Sequence, residues 1–111
     1  MPRITVPYHL KADAGASGEK TIYTVPEGKV LRIDEVTVRF PPGTAGELEL
    51  SLKRGEETVF PEERPLVGDG ATLRFDVELL YEGGEPVILA FRNANTAEAR
   101  EAYVYLSGVL V

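Results

Sequence analysis

The chain contains no cysteine, no tryptophan and no glutamine; histidine occurs only at His9, and asparagine only at Asn93 and Asn95. Without cysteine there is neither a disulfide nor a thiolate metal site, so the redox state of the compartment places no constraint on the fold. Catalysis near neutral pH draws most often on histidine, and here the single one lies near the N-terminus. The serines, Ser17, Ser51 and Ser107, sit in no Gly-x-Ser-x-Gly elbow. The expectation is a protein that is not an enzyme, with no catalytic residues, no metal and no cofactor. No apolar run approaches the roughly 20 residues that span a bilayer, and Met1–Leu10 lacks the apolar core of a signal peptide. A net charge of -6, from 12 basic and 18 acidic residues, argues against a phosphate-binding face. Neither a membrane nor a nucleic acid is expected as partner.

What is present is strand pattern. The 111 residues amount to one domain, long enough to bury a core without staples. The 27 % of charged residues and eight prolines, with so few Asn, Gln, Cys and Met, match the habits of heat-adapted proteins. Apolar residues alternate with polar ones almost throughout, and the helical period is nearly absent. Ile4, Val6 and Tyr8 alternate in a short run interrupted by Pro7, which suits an edge strand or an extended arm. The small, polar stretch Lys11–Glu19 reads as a flexible connection. In Lys29–Phe40, Leu31 and Ile33 keep one phase while Val36, Val38 and Phe40 keep the other. This change at Asp34-Glu35 predicts a β-bulge or a strand that crosses between sheets. Leu48–Leu52 and Leu73–Leu79 are clean one-sided strands. Turn signals at roughly 10–15-residue intervals separate about eight strands, the pattern of an all-β protein. The predicted fold is a single antiparallel β-sandwich, jelly-roll-like, at residues 20–111, preceded by an N-terminal arm and flexible connection at 1–19.

Reactive groups are few. His9 beside Tyr8 reads as an arm residue rather than a ligand-binding pair. Glu56, Glu57, Glu62 and Glu63, with Asp69 nearby, lack Ca²⁺-loop spacing and are flanked by Arg54 and Arg64, so a solvated loop with local ion pairs is expected. Gly68-Asp69-Gly70 and Gly83-Gly84 lead into no helix and read as turns rather than phosphate loops.

Three stretches carry a resemblance: Thr21–Ile33 (TIYTVPEGKVLRI), the hairpin Leu80–Val87 (LYEGGEPV) and the closing Tyr103–Leu110 (YVYLSGVL). Together they resemble small jelly-roll proteins of bacteriophage and archaeal virus particles, among them capsid decoration (cement) proteins, spike and turret modules and fibre-tip domains. The matched motifs are mostly turn chemistry, and no shared catalytic motif accompanies them. The resemblance implies a symmetric oligomer, often a trimer, docked on a capsid or tail shell, and hence a location in the virion; without it, the cytoplasm is the default.

The last strand departs from the one-sided pattern. Val104, Leu106 and Leu110 form one apolar face, and Tyr103, Tyr105, Val109 and Val111 form another. A strand wetted on one side does not look like this. The arm residues Ile4, Val6 and Tyr8, able to complete their own sheet or a neighbour's, join that second face as the candidate interface. The expected role is a structural, non-catalytic one. The alternative is a carbohydrate- or receptor-binding module, with Tyr81, Asn93, Asn95, Tyr103 and Tyr105 contacting the ligand.

Overall fold

A computed structural model describes residues 2–111. Eight strands follow one another with no helix among the described residues: β1 (Arg3–Ala12), β2 (Ser17–Thr24), β3 (Val30–Phe40), β4 (Leu48–Arg54), β5 (Glu57–Phe60), β6 (Ala71–Glu82), β7 (Pro86–Asn93) and β8 (Arg100–Leu110). One sheet has the order β1-β8-β3-β6 and the other β2-β7-β4-β5. Every strand pairs antiparallel with the one that mirrors it in the sequence: β1 with β8, β2 with β7, β3 with β6, β4 with β5. This is one long nested hairpin rolled into two facing sheets, the winding of a jelly roll.

Alternation makes the core. Leu48, Leu50 and Leu52 of β4 are almost wholly buried in one core with Leu31, Ile33, Val36, Val38 and Phe40 of β3, joined by Val87 and Leu89 of the neighbouring β7 and Val104 and Leu106 of the neighbouring β8. The phase change in β3 is a bulge against β8, where Asp34 is the extra residue between the pairs Ile33–Gly108 and Glu35–Ser107; against β6 it is β6 that has the extra residue, Val77 and Glu78 lying opposite Asp34. The extra residue in β3 returns the second half of the strand to the inner face, so β3 stays in one sheet rather than crossing to the other. Arg3 clamps the bulge from two strands away, donating to both carboxylate oxygens of Asp34 at 2.9 and 2.8 Å and to Ser107 Oγ at 3.1 Å. In the β6–β7 hairpin Gly84 adopts φ 83°, a conformation an L side chain resists.

The N-terminal arm lies along its own sheet. All ten residues of β1 pair with β8, from Arg3 opposite Val109 to Ala12 opposite Arg100. The stretch expected to be a flexible connection is divided: Lys11 and Ala12 end β1, Asp13–Ala16 turn between the sheets, and Ser17–Glu19 open β2. The turn is held by Gly15 N donating to Asn95 O at 2.7 Å and Asn93 N donating to Ala16 O at 2.8 Å. The expected boundary at 19/20 therefore falls inside β2.

Gly108 lies where β8 passes the bulge, opposite Ile33. A Cβ there would collide with the carbonyl of Arg32 and come within 2.9 Å of Ile33 Cα, both of them backbone that has no rotamer to change. Gly108→Ala is expected to cost about 3 kcal/mol, read as a lowered midpoint in chemical denaturation; an unchanged midpoint would mean that β3 and β8 can move apart freely at this point.

Candidate interaction surface

β8 lies between β1 and β3, and its two sides serve different ends. Ala102, Val104 and Leu106 point inward and are essentially inaccessible. Tyr103, Tyr105 and Val109 point outward. The Tyr103 ring stacks on His9 of β1, centroids 4.3 Å apart and planes within 5°, and Arg39 of β3 sets its guanidinium carbon 4.2 Å from the same centroid. Because β1 and β3 flank β8 on opposite sides, the phenol is held between an imidazole and a guanidinium. His9 Nε2 also lies 3.2 Å from Glu101 Oε2. In the next row Tyr105 stands between Pro7 and Thr37 and is 39 % exposed. Further along, Val109 lies between Arg3 and Arg32, with Leu80, 44 % exposed, opposite Arg32. The result is a tyrosine–arginine face with exposed aliphatic groups along one margin. It offers ring faces, guanidinium donors and apolar area, the groups that dominate the energy of protein interfaces.

The arm does not join that face. In β1 the residues Ile4, Val6 and Tyr8 turn inward, Val6 buried and the other two packed against the core, while Thr5, Pro7 and His9 turn outward. The expected interface is thus divided between the two sides of a sheet: Tyr103, Tyr105 and Val109 lie outside, Ile4, Val6 and Tyr8 inside. Val111 lies beyond β8, exposed, its main chain bonded in both directions to Val30. His9 and Tyr8 likewise face opposite ways. The residue that sequence reasoning missed is Arg39, and the partner it left unnamed is Tyr103 for the arm residue His9. Both follow from parity once the register of β1 and β3 on β8 is known.

The alternative ligand set is taken apart by the fold. Tyr81 is fully buried, its hydroxyl donating to Lys53 O at 3.0 Å, and burial pushes its pKa well above the usual phenol range. Asn93 is buried at the other end of the strands, where Nδ2 donates to the carbonyls of Ala12, Asp13 and Glu98 at 3.3, 3.1 and 3.0 Å and Oδ1 accepts from Asn95 N at 3.0 Å. The Asn95 side chain is used in the same way, Oδ1 accepting from Ala97 N and Glu98 N and Nδ2 donating to Glu47. These amides close a loop rather than greet a sugar. Tyr81, Asn93 and Asn95 share no surface with Tyr103 and Tyr105. Nor does Arg54 pair within the acidic loop: it reaches the β6–β7 hairpin and binds Glu85 at 2.9 Å. Among the described residues no group of three or more His, Asp or Glu side chains is placed to hold a metal.

A scan against protein-family models finds no match, and neither does a search of curated proteins. Solved structures do align. A chain of the acidic stable capsid structure of Helicobacter pylori bacteriophage KHP30 superposes over 99 % of this chain and 98 % of its own, with a TM-score of 0.54 at 16 % identity. A chain of the cyanophage Pam1 capsid asymmetric unit covers 96 % of this chain and 83 % of its own, with the same TM-score at 12 % identity. In fold, the chain is similar to phage capsid proteins. The crystal structure of FLHE aligns over 97 % of the chain at the lower TM-score of 0.48.

Two outcomes follow from the loop chemistry. Asn93→Ala leaves three carbonyls without their donor and is expected to cost about 2 kcal/mol; Asn93→Asp, similar in shape, points a carboxylate at those carbonyls and is expected to cost at least as much in a denaturation series. The second outcome concerns acid. Hydrogen bonds from Asn95 and Arg100 hold the Glu47 carboxyl below its ordinary pKa, Arg54 and the Glu82 amide do the same for Glu85, and Arg3 for Asp34. Their folded pKa values lie below the unfolded ones, so the stability they add is complete above the usual carboxylate range and disappears as pH falls through the folded values. Thermal melts taken down the acid range should show a falling midpoint, and Glu47→Gln with Glu85→Gln should flatten that fall.

Proposed function

We propose that the protein is a structural component of a virus particle: a capsid decoration protein that self-associates and docks on a larger shell. The observation that carries this reading is the outward side of β8. Tyr103 and Tyr105, with Arg39 and His9 beside them, form an aromatic face with a guanidinium set against it, on a sheet whose inward side is already filled by its own core. Tyrosine and arginine on an otherwise complete sandwich suit the burial of a partner protein, because each combines area with a hydrogen-bonding tip. Specific interfaces bury roughly 1,200–2,000 Å² in total, which a four-stranded face and its margins can supply. Likeness in fold to capsid chains of two phages, over nearly the whole length, supports the same reading. The partners are then protein surfaces of a capsid or tail, and the location is the virion.

The chain is expected to be found by mass spectrometry in virus particles purified through a density gradient; its absence from them would overturn the reading. On isolated shells, Tyr103→Ala with Tyr105→Ala is expected to weaken binding by about 2 kcal/mol, roughly thirtyfold, with the melting temperature little changed.

A further inference from the structure

Four strands end the two sheets: β1 and β6 in one, β2 and β5 in the other. An edge strand presents unpaired N–H and C=O groups, and proteins blunt such edges with proline, bulges or brevity. β1 carries Pro7 at its middle, β2 has Gly18 and a register shift between Thr21 and Tyr23, and β5 is four residues long. β6 is the least protected: it runs for 12 residues, Ala71–Glu82, without proline or glycine, and its one irregularity is the extra residue at Val77-Glu78 opposite Asp34, beyond the regular run Ala71–Asp76. Its inward residues Leu73, Phe75 and Val77 are only half-buried, since the short β5 covers part of their length. Between the two edges an open groove of about 410 Å³ is floored by Val59, Phe60, Val77 and Leu79.

We propose that β6 pairs antiparallel with β6 of a second copy, about a twofold axis at Phe75, joining two four-stranded sheets into one. The proposal deepens the self-association in the function proposed above and rests on it. Main-chain parity permits the pairing. Gly70 N donates to Pro41 O, next to the opposed pair Phe40 and Ala71. Main-chain groups alternate in direction along the regular run Ala71–Asp76, so Ala71, Leu73 and Phe75 turn their N–H and C=O groups to the open edge.

Charge selects the register. Inner faces must meet inner faces, which confines the axis to a residue rather than a point between two residues. Centred on Arg74 the pairing opposes two guanidinium groups, and centred on Asp76 it opposes two carboxylates between two Arg74–Glu78 pairs. An axis at Val77 sets Asp76 against Glu78, and one at Leu73 forms no ion pair. Centred on Phe75, the strand is self-complementary on both faces. Arg74 lies opposite Asp76 of the second copy and Thr72 opposite Glu78; inside, Leu73 lies opposite Val77 and the two Phe75 rings meet. Arg74 is bound at 2.6 Å to Glu35 of its own chain, yet its side chain is 70 % exposed, and a guanidinium has donors for both carboxylates.

Charge reversal tests the register. Arg74→Asp alone places carboxylate against carboxylate, and Asp76→Arg alone places guanidinium against guanidinium. Each is expected to weaken dimerisation about tenfold or more, read by light scattering and analytical ultracentrifugation, with an unchanged melting temperature confirming that the variant is folded. Mixed in equal amounts, the two variants restore both ion pairs and should form a 1:1 heterodimer, and the double variant R74D/D76R should dimerise by itself. A monomeric or trimeric wild-type protein, or a mixture that stays apart, would overturn the proposal. A monomer that is still found in particles would overturn this pairing and leave the shell role standing; a dimer absent from particles would do the reverse.

Discussion

One extra residue in β3 governs the inner surface of its sheet. β3 is a central strand of 11 residues, and an unbroken alternation would bury either Leu31 and Ile33 or Val36, Val38 and Phe40, but not both groups. The bulge at Asp34, an extra residue against β8, reverses the phase midway, and all five side chains become core. Its neighbours are adapted to that detour. β8 has a glycine where the displaced backbone comes closest, and β1 supplies Arg3 to the carboxylate at the bulge itself. Three strands are thereby committed to one register, because a slip of any of them would part Arg3 from Asp34 or drive a side chain into the Arg32 carbonyl.

With the core satisfied, apolar and aromatic groups left over on the outside acquire meaning. Tyr103 and Tyr105 are not needed to fill the sandwich, since the opposite side of the same strand does so. Their cost is exposure, and Tyr103 reduces it by lodging between His9 and Arg39. Such a side chain is already ordered before a partner arrives, and little rotamer freedom is left to lose on binding. The half-buried stripe on β6 is a different kind of surplus, an inner face that its own opposite strand is too short to cover.

Much of this was legible along the chain. Alternation located the strands, Gly and Pro located the turns, and the change of phase at Asp34-Glu35 announced the bulge, because each is a property of neighbouring residues. What could not be read was pairing. Which way Tyr8 and Tyr103 face relative to each other depends on the register of β1 against β8, set by residues nearly the whole chain apart, and alternation alone does not show that Ile4, Val6 and Tyr8 lie on the opposite side from Tyr103. Asn93, Asn95 and Tyr81 misled for the same reason. A polar or aromatic residue near a turn looks available until the carbonyls it serves, those of Ala12, Asp13 and Lys53, are brought to it by distant strands. Function was visible only as a remainder: two apolar faces on a strand that needed one.

The nested pairing also bears on how the chain can reach this state. Almost every strand partner is remote in sequence, which in isolation would make each closure entropically slow. Nesting changes the arithmetic. Once Arg54 meets Glu57 across the β4–β5 turn, the flanking segments leave that hairpin side by side, and the loop that remains before Phe40 meets Ala71 is far shorter in effect than the sequence between them. The same holds outward through Thr24 with Pro86 to Ala12 with Arg100. Nesting thus lets each closure shorten the next, outward from the tightest turn to β1, the strand whose pairing benefits from all the others.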